Sequence, residues 1–121
     1  MSASHAPALD AIAFQLVAAL ERYDHNVETL LATWPGPDLN LYREVCEQID
    51  SIRMYSSALP ELRVAWVELL IGHAELVHTL WKAQRSGDED VARVRAHHGH
   101  SVATLRHRCV RLLQGASARG A

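Results

Sequence analysis

The chain has 121 residues, of which 49% are apolar and 21% charged, and it contains two cysteines. This length suits one domain over residues 1–121, and the apolar fraction excludes an intrinsically disordered chain. No apolar run reaches the roughly 18 to 20 residues of a membrane-spanning helix, and no basic residue precedes an apolar run at the start. We therefore expect neither a membrane span nor a secretory signal. Two cysteines are too few for a disulfide framework, which favours the cytoplasm.

Charge is unevenly distributed along the chain. Residues 1–60 carry eight acids and three arginines, a net charge of −5, whereas residues 61–121 carry nine bases and six acids, a net charge of +3. No acid follows Asp90. Eight histidines, whose ordinary pKa is about 6.5, add a charge that depends on pH. We therefore expect the solubility of the protein and the charge of the partners it attracts to depend on pH. The charge distribution and the histidine content do not indicate the fold.

Apolar residues at steps of three and four predict a first helix over residues 7–34, which Pro7 opens because proline fits the first helical turn. A Pro-Gly-Pro sequence ends it. Asp38 is the predicted N-cap of a second helix over residues 38–58, since its carboxylate can accept hydrogen bonds from the free N–H groups of the first turn. The predicted buried seams are Leu16, Leu20, Tyr23, Val27, Leu30 and Trp34 in the first helix and Tyr42, Val45, Ile49 and Ile52 in the second.

The third helix is predicted over residues 61–85 and the fourth over residues 88–114, with a Gly-Asp turn between them. Gly115 is expected to end the fourth helix and to leave residues 115–121 as a frayed tail. The third helix carries two apolar stripes. The first stripe is Leu62, Trp66, Leu69, Leu76 and Leu80, and the second is Val67, Leu70, Ile71, Ala74, Val77 and Trp81. The predicted seam of the fourth helix is Val91, Val94, Val102, Leu105, Cys109 and Leu112.

No segment alternates polar and apolar residues as a half-buried strand does, so the expected fold class is all-α. Short turns between neighbouring helices predict an antiparallel, up-down four-helix bundle, because a short connection reverses the chain direction. The second stripe of the third helix would be exposed on a monomer, which favours a homodimer. Burial of both stripes inside one bundle is the alternative. The expected interaction residues are Val67, Ile71 and Trp81.

Histidine is the residue type in this chain that offers the most possibilities for chemistry. His73 and His98 fall on helix seams where apolar residues are usual, which predicts either hydrogen-bonded core groups or ligands of a divalent transition metal such as Zn, Ni or Fe. Asp24 and Glu28 are four residues apart on the first helix, so their carboxylates project from one face and could complete a site. The predicted metal ligands are Asp24, Glu28, His78 and His100.

The spacing of these four residues around the Gly-Asp turn resembles the FCD effector-binding domain of GntR-type bacterial regulators. The resemblance implies a helical domain that holds a metal through Asp and His side chains and binds a carboxylate effector with it. Asp24, His78 and His100 match ligand positions of that family. Glu28 stands where the family has His, and Val77 stands where it has Glu. A metal-dependent domain for a small anionic ligand is therefore an alternative function.

A further alternative comes from Arg95 and His100, whose Arg-x-x-x-x-His arrangement is similar to that of HEPN-type helical ribonucleases. The resemblance implies that the Arg stabilises charge on the phosphorus while the His moves a proton at the ribose 2′-OH. Arg93 and His98 have the same spacing. Ala96 stands where that family has a polar residue.

The fourth helix is free of acids after its first turn, but its arginines are dispersed and it has no aromatic residue, so nucleic acid is not an expected partner. We expect these arginines to face acids of the second helix instead, which are Glu44, Glu47 and Asp50. Both cysteines are expected in the core, and no phosphate-binding loop or nucleophile motif is present. The residues favour a non-enzymatic interaction or regulatory module that acts through its helix faces on a protein partner or a small anionic ligand.

Overall fold

The computed structural model describes residues 5–34, 39–86 and 89–120. Within these ranges the chain is all-helical and contains no strand. Its elements are α1 (His5–Thr33), α2 (Asn40–Ser57), a 3₁₀ turn (Pro60–Leu62), α3 (Arg63–Ser86) and α4 (Glu89–Gly120). None of the helices in these ranges is both long and apolar enough to cross a membrane.

The first and third helices begin at positions other than those predicted. α1 begins at His5, so that Pro7 lies within the first turn, where its missing N–H leaves no hydrogen bond unmade. The 3₁₀ turn opens with Pro60 and is separate from the helix that follows it, so α3 begins at Arg63 rather than at residue 61. The predicted cap of α2, Asp38, lies outside the described residues.

The prediction that Gly115 ends the fourth helix is wrong, because α4 continues to Gly120. A glycine inside a helix costs only about 1 kcal/mol, and the alanines that follow favour continuation. The segment predicted as a frayed tail is therefore helical as far as Gly120. The predicted Gly-Asp turn before α4 lies outside the described residues.

The predicted seams form the core of the fold. The first stripe of α3 and its preceding 3₁₀ turn is buried in full, and the seam of α1 is buried except for the half-buried Trp34. In α2 and α4 only the terminal seam residues Tyr42, Val91 and Leu112 are half-buried. The side chains with almost no exposed surface are Tyr23, Leu16, Leu20, Ile52, Leu62, Leu69, Leu80, Leu105, His98, Val27 and Cys109. A stepping of three and four therefore identified the core of all four helices.

Helix α4 packs against α1 and α3, α1 also packs against α2, and the contact between α2 and α3 is small. Within the described ranges α2 and α4 do not pack against each other. The acids that face α4 therefore come from α1. Arg106 donates from Nε and Nη2 to Glu21 Oε1 at 3.1 and 2.8 Å, and Arg95 pairs with Asp24 and Glu28. The prediction that α2 supplies these acids, through Glu44, Glu47 and Asp50, is wrong.

Candidate functional site

A polar network crosses the interior of the protein where α1, α3 and α4 meet. The hydroxyl of Tyr23 lies 2.7 Å from Nδ1 of His73 and 2.7 Å from Nε2 of His98. Tyr23 and His98 are fully buried, and His73 is 8% exposed. Arg95 extends the network from His98 to the surface of α1. We call Tyr23, His73, Arg95 and His98 the buried polar network.

The protonation of the buried polar network follows from the contact between Arg95 and His98. Arg95 Nη1 lies 2.8 Å from His98 Nδ1, and a guanidinium can only donate, so Nδ1 accepts and the ring proton of a neutral His98 resides on Nε2. His98 Nε2–H then donates to the Tyr23 oxygen, and the Tyr23 hydroxyl donates to His73 Nδ1. The three hydrogen bonds thus point in one direction, from the guanidinium to His73.

Two carboxylates of α1 hold Arg95 in place. Its Nη2 donates to Asp24 Oδ1 at 2.8 Å, and its Nε donates to Glu28 Oε1 at 2.9 Å. The Arg95 side chain is 15% exposed, against 45% for Asp24 and 64% for Glu28. The Arg95 guanidinium therefore lies at the edge of the core, where charge-assisted hydrogen bonds are stronger than on an open surface.

Burial dominates the electrostatics of the buried polar network. Burial, together with the neighbouring Arg95 charge, lowers the pKa of His98 to about 3. Burial also lowers the pKa of His73, against an opposing effect of Asp50. Burial raises the pKa of Tyr23 far above its ordinary value, so the hydroxyl keeps its proton. Burial acts to lower the pKa of Arg95, but Asp24 and Glu28 outweigh it and raise that pKa.

The four predicted metal ligands divide into two groups. Asp24 and Glu28 come together on Arg95, while His78 and His100 are both exposed. Among the described residues, no cluster of three or more His, Cys, Asp or Glu is arranged to hold a metal. A metal bound by Asp24 and Glu28 would have to displace the guanidinium. The metal site stays a prediction, and a measured metal content is its test.

The two histidines predicted on apolar seams, His73 and His98, are hydrogen-bonded core groups. A metal on His98 Nε2 conflicts with the observed contacts, because Nδ1 would then carry the proton and meet a donor of Arg95. In the ribonuclease-like pair, Arg95 is engaged by two carboxylates, whereas His100 is exposed. Their proposed roles stay predictions.

A second candidate site is the outer face of α3. Val64, Val67, Ile71 and Trp81 are 64%, 43%, 51% and 41% exposed, although each is a large apolar residue. With the exposed Ala74 and His78 they complete a row whose members are separated by three or four residues. We call this row the α3 seam: Val64, Val67, Ile71, Ala74, His78 and Trp81. It contains the three predicted interaction residues, all of which are exposed.

Trp81 has an internal role as well as an exposed surface. Its ring meets Trp34 edge-on with 4.8 Å between ring centroids, and it meets Tyr42 edge-on at 5.5 Å. Its indole Nε1 donates to the Tyr42 hydroxyl at 3.3 Å, while Trp34 Nε1 donates to the Leu80 carbonyl at 3.0 Å. This aromatic cluster joins α1, α2 and α3 at one end of the α3 seam.

Sequence reasoning missed the role of Tyr23 and of Arg95. The spacing of apolar residues predicts Tyr23 in a seam for its ring alone. The signal that identifies its further role is the presence of two histidines on other seams, because a buried phenol needs hydrogen-bond partners. The sequence motif indicates Arg95 as a catalytic group and does not indicate its pairing with Asp24 and Glu28.

Comparisons with protein-family models, with curated proteins and with solved structures give no match to this chain.

Proposed function

We propose that this protein is a non-enzymatic helical-bundle interaction module that self-associates through the α3 seam as a homodimer. The proposal is supported above all by one observation, which is that a heptad-spaced row on α3, apolar at every position except His78, is exposed on a single chain. Of the nine large apolar residues with high exposure in the described ranges, five lie on α3. Exposed apolar surface that is gathered on one helix marks an interaction face.

The spacing of the α3 seam fits a second helix of the same kind as its occupant. Apolar residues that alternate at steps of three and four return to one side of a helix every 3.5 residues, which is the pattern that paired helices bury between them. In heptad terms Val64, Ile71 and His78 occupy one core position, and Val67, Ala74 and Trp81 occupy the other. The row repeats for nearly three heptads. A second copy of the chain presents the same row and therefore matches it in length.

Flanking charges support a parallel pairing of the two α3 helices. Arg63 flanks the α3 seam at its start. In a parallel pair of helices, a residue at this flanking position faces the residue five positions later on the other helix. That residue is Glu68, so each Arg63 faces a Glu68 of the second copy. In an antiparallel pair centred on the same seam, Glu68 instead lies beside Glu75 of the second copy, and the like charges disfavour that arrangement.

Within each chain we propose the up-down antiparallel topology. The supporting observation is the order of contacts between α1 and α4, whose partners advance in opposite directions along the two helices. These contacts are Arg95 with Glu28, Arg106 with Glu21, and Cys109 Sγ with the Ala13 carbonyl. The packing of α4 against both α1 and α3 also suits a closed bundle.

We propose that the role of the buried polar network is to make one arrangement of the helices more stable than its alternatives. A shift of α4 by one turn relative to α1 would separate His98 Nε2–H from the Tyr23 oxygen and leave this buried donor without an acceptor, which costs about 1 to 3 kcal/mol. Apolar layers alone tolerate such shifts more easily. The network thus favours a single register of α4 against α1, and this role accounts for it without a reacting substrate.

Sedimentation equilibrium over a wide range of concentrations tests the proposal. The wild-type chain is expected to sediment as a dimer. Ile71→Glu is expected to weaken association at least tenfold, because an unpaired carboxylate in an apolar interface costs more than the roughly 1.4 kcal/mol of a tenfold change. Met54→Glu is the matched control, since Met54 is 68% exposed on α2 and lies outside the α3 seam.

Circular dichroism of both variants distinguishes dissociation from unfolding, and both are expected to keep the helical spectrum of the wild type. A wild-type chain that is monomeric at every concentration contradicts the proposal. Equal weakening of association by Ile71→Glu and Met54→Glu contradicts the assignment to α3.

A further inference from the structure

A groove of about 590 Å³ lies on the outer side of α4, where this helix passes the 3₁₀ turn. Its apolar lining residues are Leu62, Ala103 and Leu112. Four cationic or potentially cationic residues of α4 line it together with one hydroxyl and one carboxylate. These polar lining residues are His100, Thr104, His107, Arg108, Arg111 and Glu61. We call this feature the basic groove.

Two arginines of the basic groove differ from their neighbours on α4. Arg93, Arg95 and Arg106 each form an ion pair with an acid of α4 or α1. Among the described residues, Arg108 and Arg111 have no ion pair or side-chain hydrogen bond, and both are exposed. They are three residues apart, so they project from one side of the helix and can reach the same anion. The chain as a whole carries a net charge of −2, so a generally basic surface does not account for this concentration of positive charge.

We propose that the basic groove is a binding site for a small molecule that carries two or more linked phosphate groups. An arginine matches a phosphate through two parallel N–H donors, and a pair of arginines can hold two neighbouring phosphates. Thr104 and Arg111 are seven residues apart on α4, which corresponds to about 10 Å along the helix axis. A single phosphate is too small to contact both ends of that row, whereas a chain of phosphates spans it.

The other surroundings of the basic groove define the ligand further. The described lining contains no Phe, Tyr or Trp, and the small rings of His100 and His107 offer less area for a base to stack on, so a small polyphosphate fits better than an oligonucleotide. The volume lies within the usual range of small-molecule sites. Glu61 repels such a ligand and is expected to limit its affinity. The basic groove shares no residue with the α3 seam, so this proposal stands apart from the proposed dimer.

Isothermal titration of the full chain with inorganic tripolyphosphate at low ionic strength tests the proposal. The wild type is expected to bind with a dissociation constant below about 1 mM. The double variant Arg108→Gln, Arg111→Gln is expected to bind at least tenfold more weakly. The control is Arg22→Gln, Arg43→Gln, which removes the same charge from two exposed arginines outside the groove and is expected to change binding less than twofold. Glu61→Gln is expected to tighten binding.

Three results would overturn the proposal. The first is an absence of tripolyphosphate binding to the wild type. The second is equal weakening in both double variants, which would mean attraction to overall charge alone. The third is tighter binding of a single-stranded oligonucleotide than of tripolyphosphate with the same dependence on Arg108 and Arg111, which would make the groove a nucleic-acid site. Sedimentation of the same samples shows whether ligand binding and dimer formation fail separately.

Discussion

Arg95 donates a hydrogen bond to Nδ1 of the fully buried His98 over 2.8 Å. This contact sets the proton positions in a chain of three hydrogen bonds that ends at His73. Each ring nitrogen that faces the Tyr23 hydroxyl has a defined role, one as a donor and one as an acceptor. The network is therefore satisfied in one arrangement of hydrogens. Removal of a member leaves a polar group in the core without a partner.

Tyr23→Phe tests the central member of this network. The change deletes only the hydroxyl and leaves both His73 Nδ1 and His98 Nε2–H without their partner, so the free energy of unfolding is expected to fall by about 2 to 4 kcal/mol. Urea denaturation monitored by circular dichroism measures it. Tyr55→Phe is the control, because Tyr55 is half-buried and outside the network, and a change below about 0.5 kcal/mol is expected. Equal effects of the two substitutions would show that the network does not stabilise the fold.

Stability is expected to fall with acidification in a manner that depends on His98. The pKa of His98 is about 3 in the folded protein and about 6.5 in the unfolded chain, so below pH 6.5 the unfolded chain binds a proton that the folded protein excludes. Each unit by which the pH falls between about 6.5 and about 3 therefore lowers the free energy of unfolding by about 1.4 kcal/mol through this histidine. Above pH 6.5 the histidine contributes no dependence on pH. Besides burial, Arg95, His73 and His97 lower this pKa and Asp24 raises it, while the Tyr23 oxygen accepts a hydrogen bond from His98 Nε2.

The measurement is urea denaturation at a series of pH values for the wild type, His98→Asn and His25→Asn. The carboxylates titrate in all three proteins, so differences between the curves isolate the histidines. His98→Asn is expected to have a shallower acid slope, whereas His25→Asn, at an exposed position outside the buried polar network and the α3 seam, is expected to follow the wild type. Parallel curves for the wild type and His98→Asn would contradict the burial of a neutral imidazole.

Gly72→Ala is expected to stabilise the protein. Gly72 lies in α3 where that helix approaches α4, and a β-carbon built there would lie 3.5 Å from His98 Cα, an ordinary van der Waals contact. The methyl group therefore fits, and alanine favours a helix over glycine by about 0.5 to 1 kcal/mol. Gly72→Val adds two further carbons against the same backbone and is expected to destabilise by about 1 to 3 kcal/mol. Thermal denaturation that ranks the two variants in the opposite order would contradict this geometry.

Trp81→Ala is expected to weaken self-association and also to lower stability. The loss of association follows from the place of Trp81 in the α3 seam. The loss of stability follows from its edge-on contacts with Trp34 and Tyr42, because aromatic pairs contribute about 0.5 to 1.5 kcal/mol beyond the area they bury.

Sedimentation and urea denaturation of Trp81→Ala and Val67→Ala separate the two effects. Val67 is in the α3 seam but outside the aromatic cluster, so its substitution is expected to weaken association with little loss of monomer stability. If Trp81→Ala weakens neither property, the aromatic cluster and the α3 seam are both misassigned.

The helices and their buried sides could be predicted from the sequence because a stepping of three and four is a local property. The burial of His73 and His98 was visible for the same reason, since each interrupts an apolar seam. Their common partner Tyr23 was not, because a contact across 50 or 75 residues depends on the relative height of three helices. The pairing of Arg95 with α1 instead of α2 depends likewise on which helices are neighbours.

We expect local unfolding of the native structure to begin at helix α2. It packs on α1 but meets α3 over a small area only, and α4 not at all within the described ranges. Two buried atoms of α2, Gln48 Oε1 and Ser56 Oγ, have no hydrogen-bond partner in the same ranges. Partial unfolding proceeds through the segment with the fewest packing contacts and satisfied hydrogen bonds. Amide hydrogens of α2 should therefore exchange with deuterium ahead of those in α1 and α4.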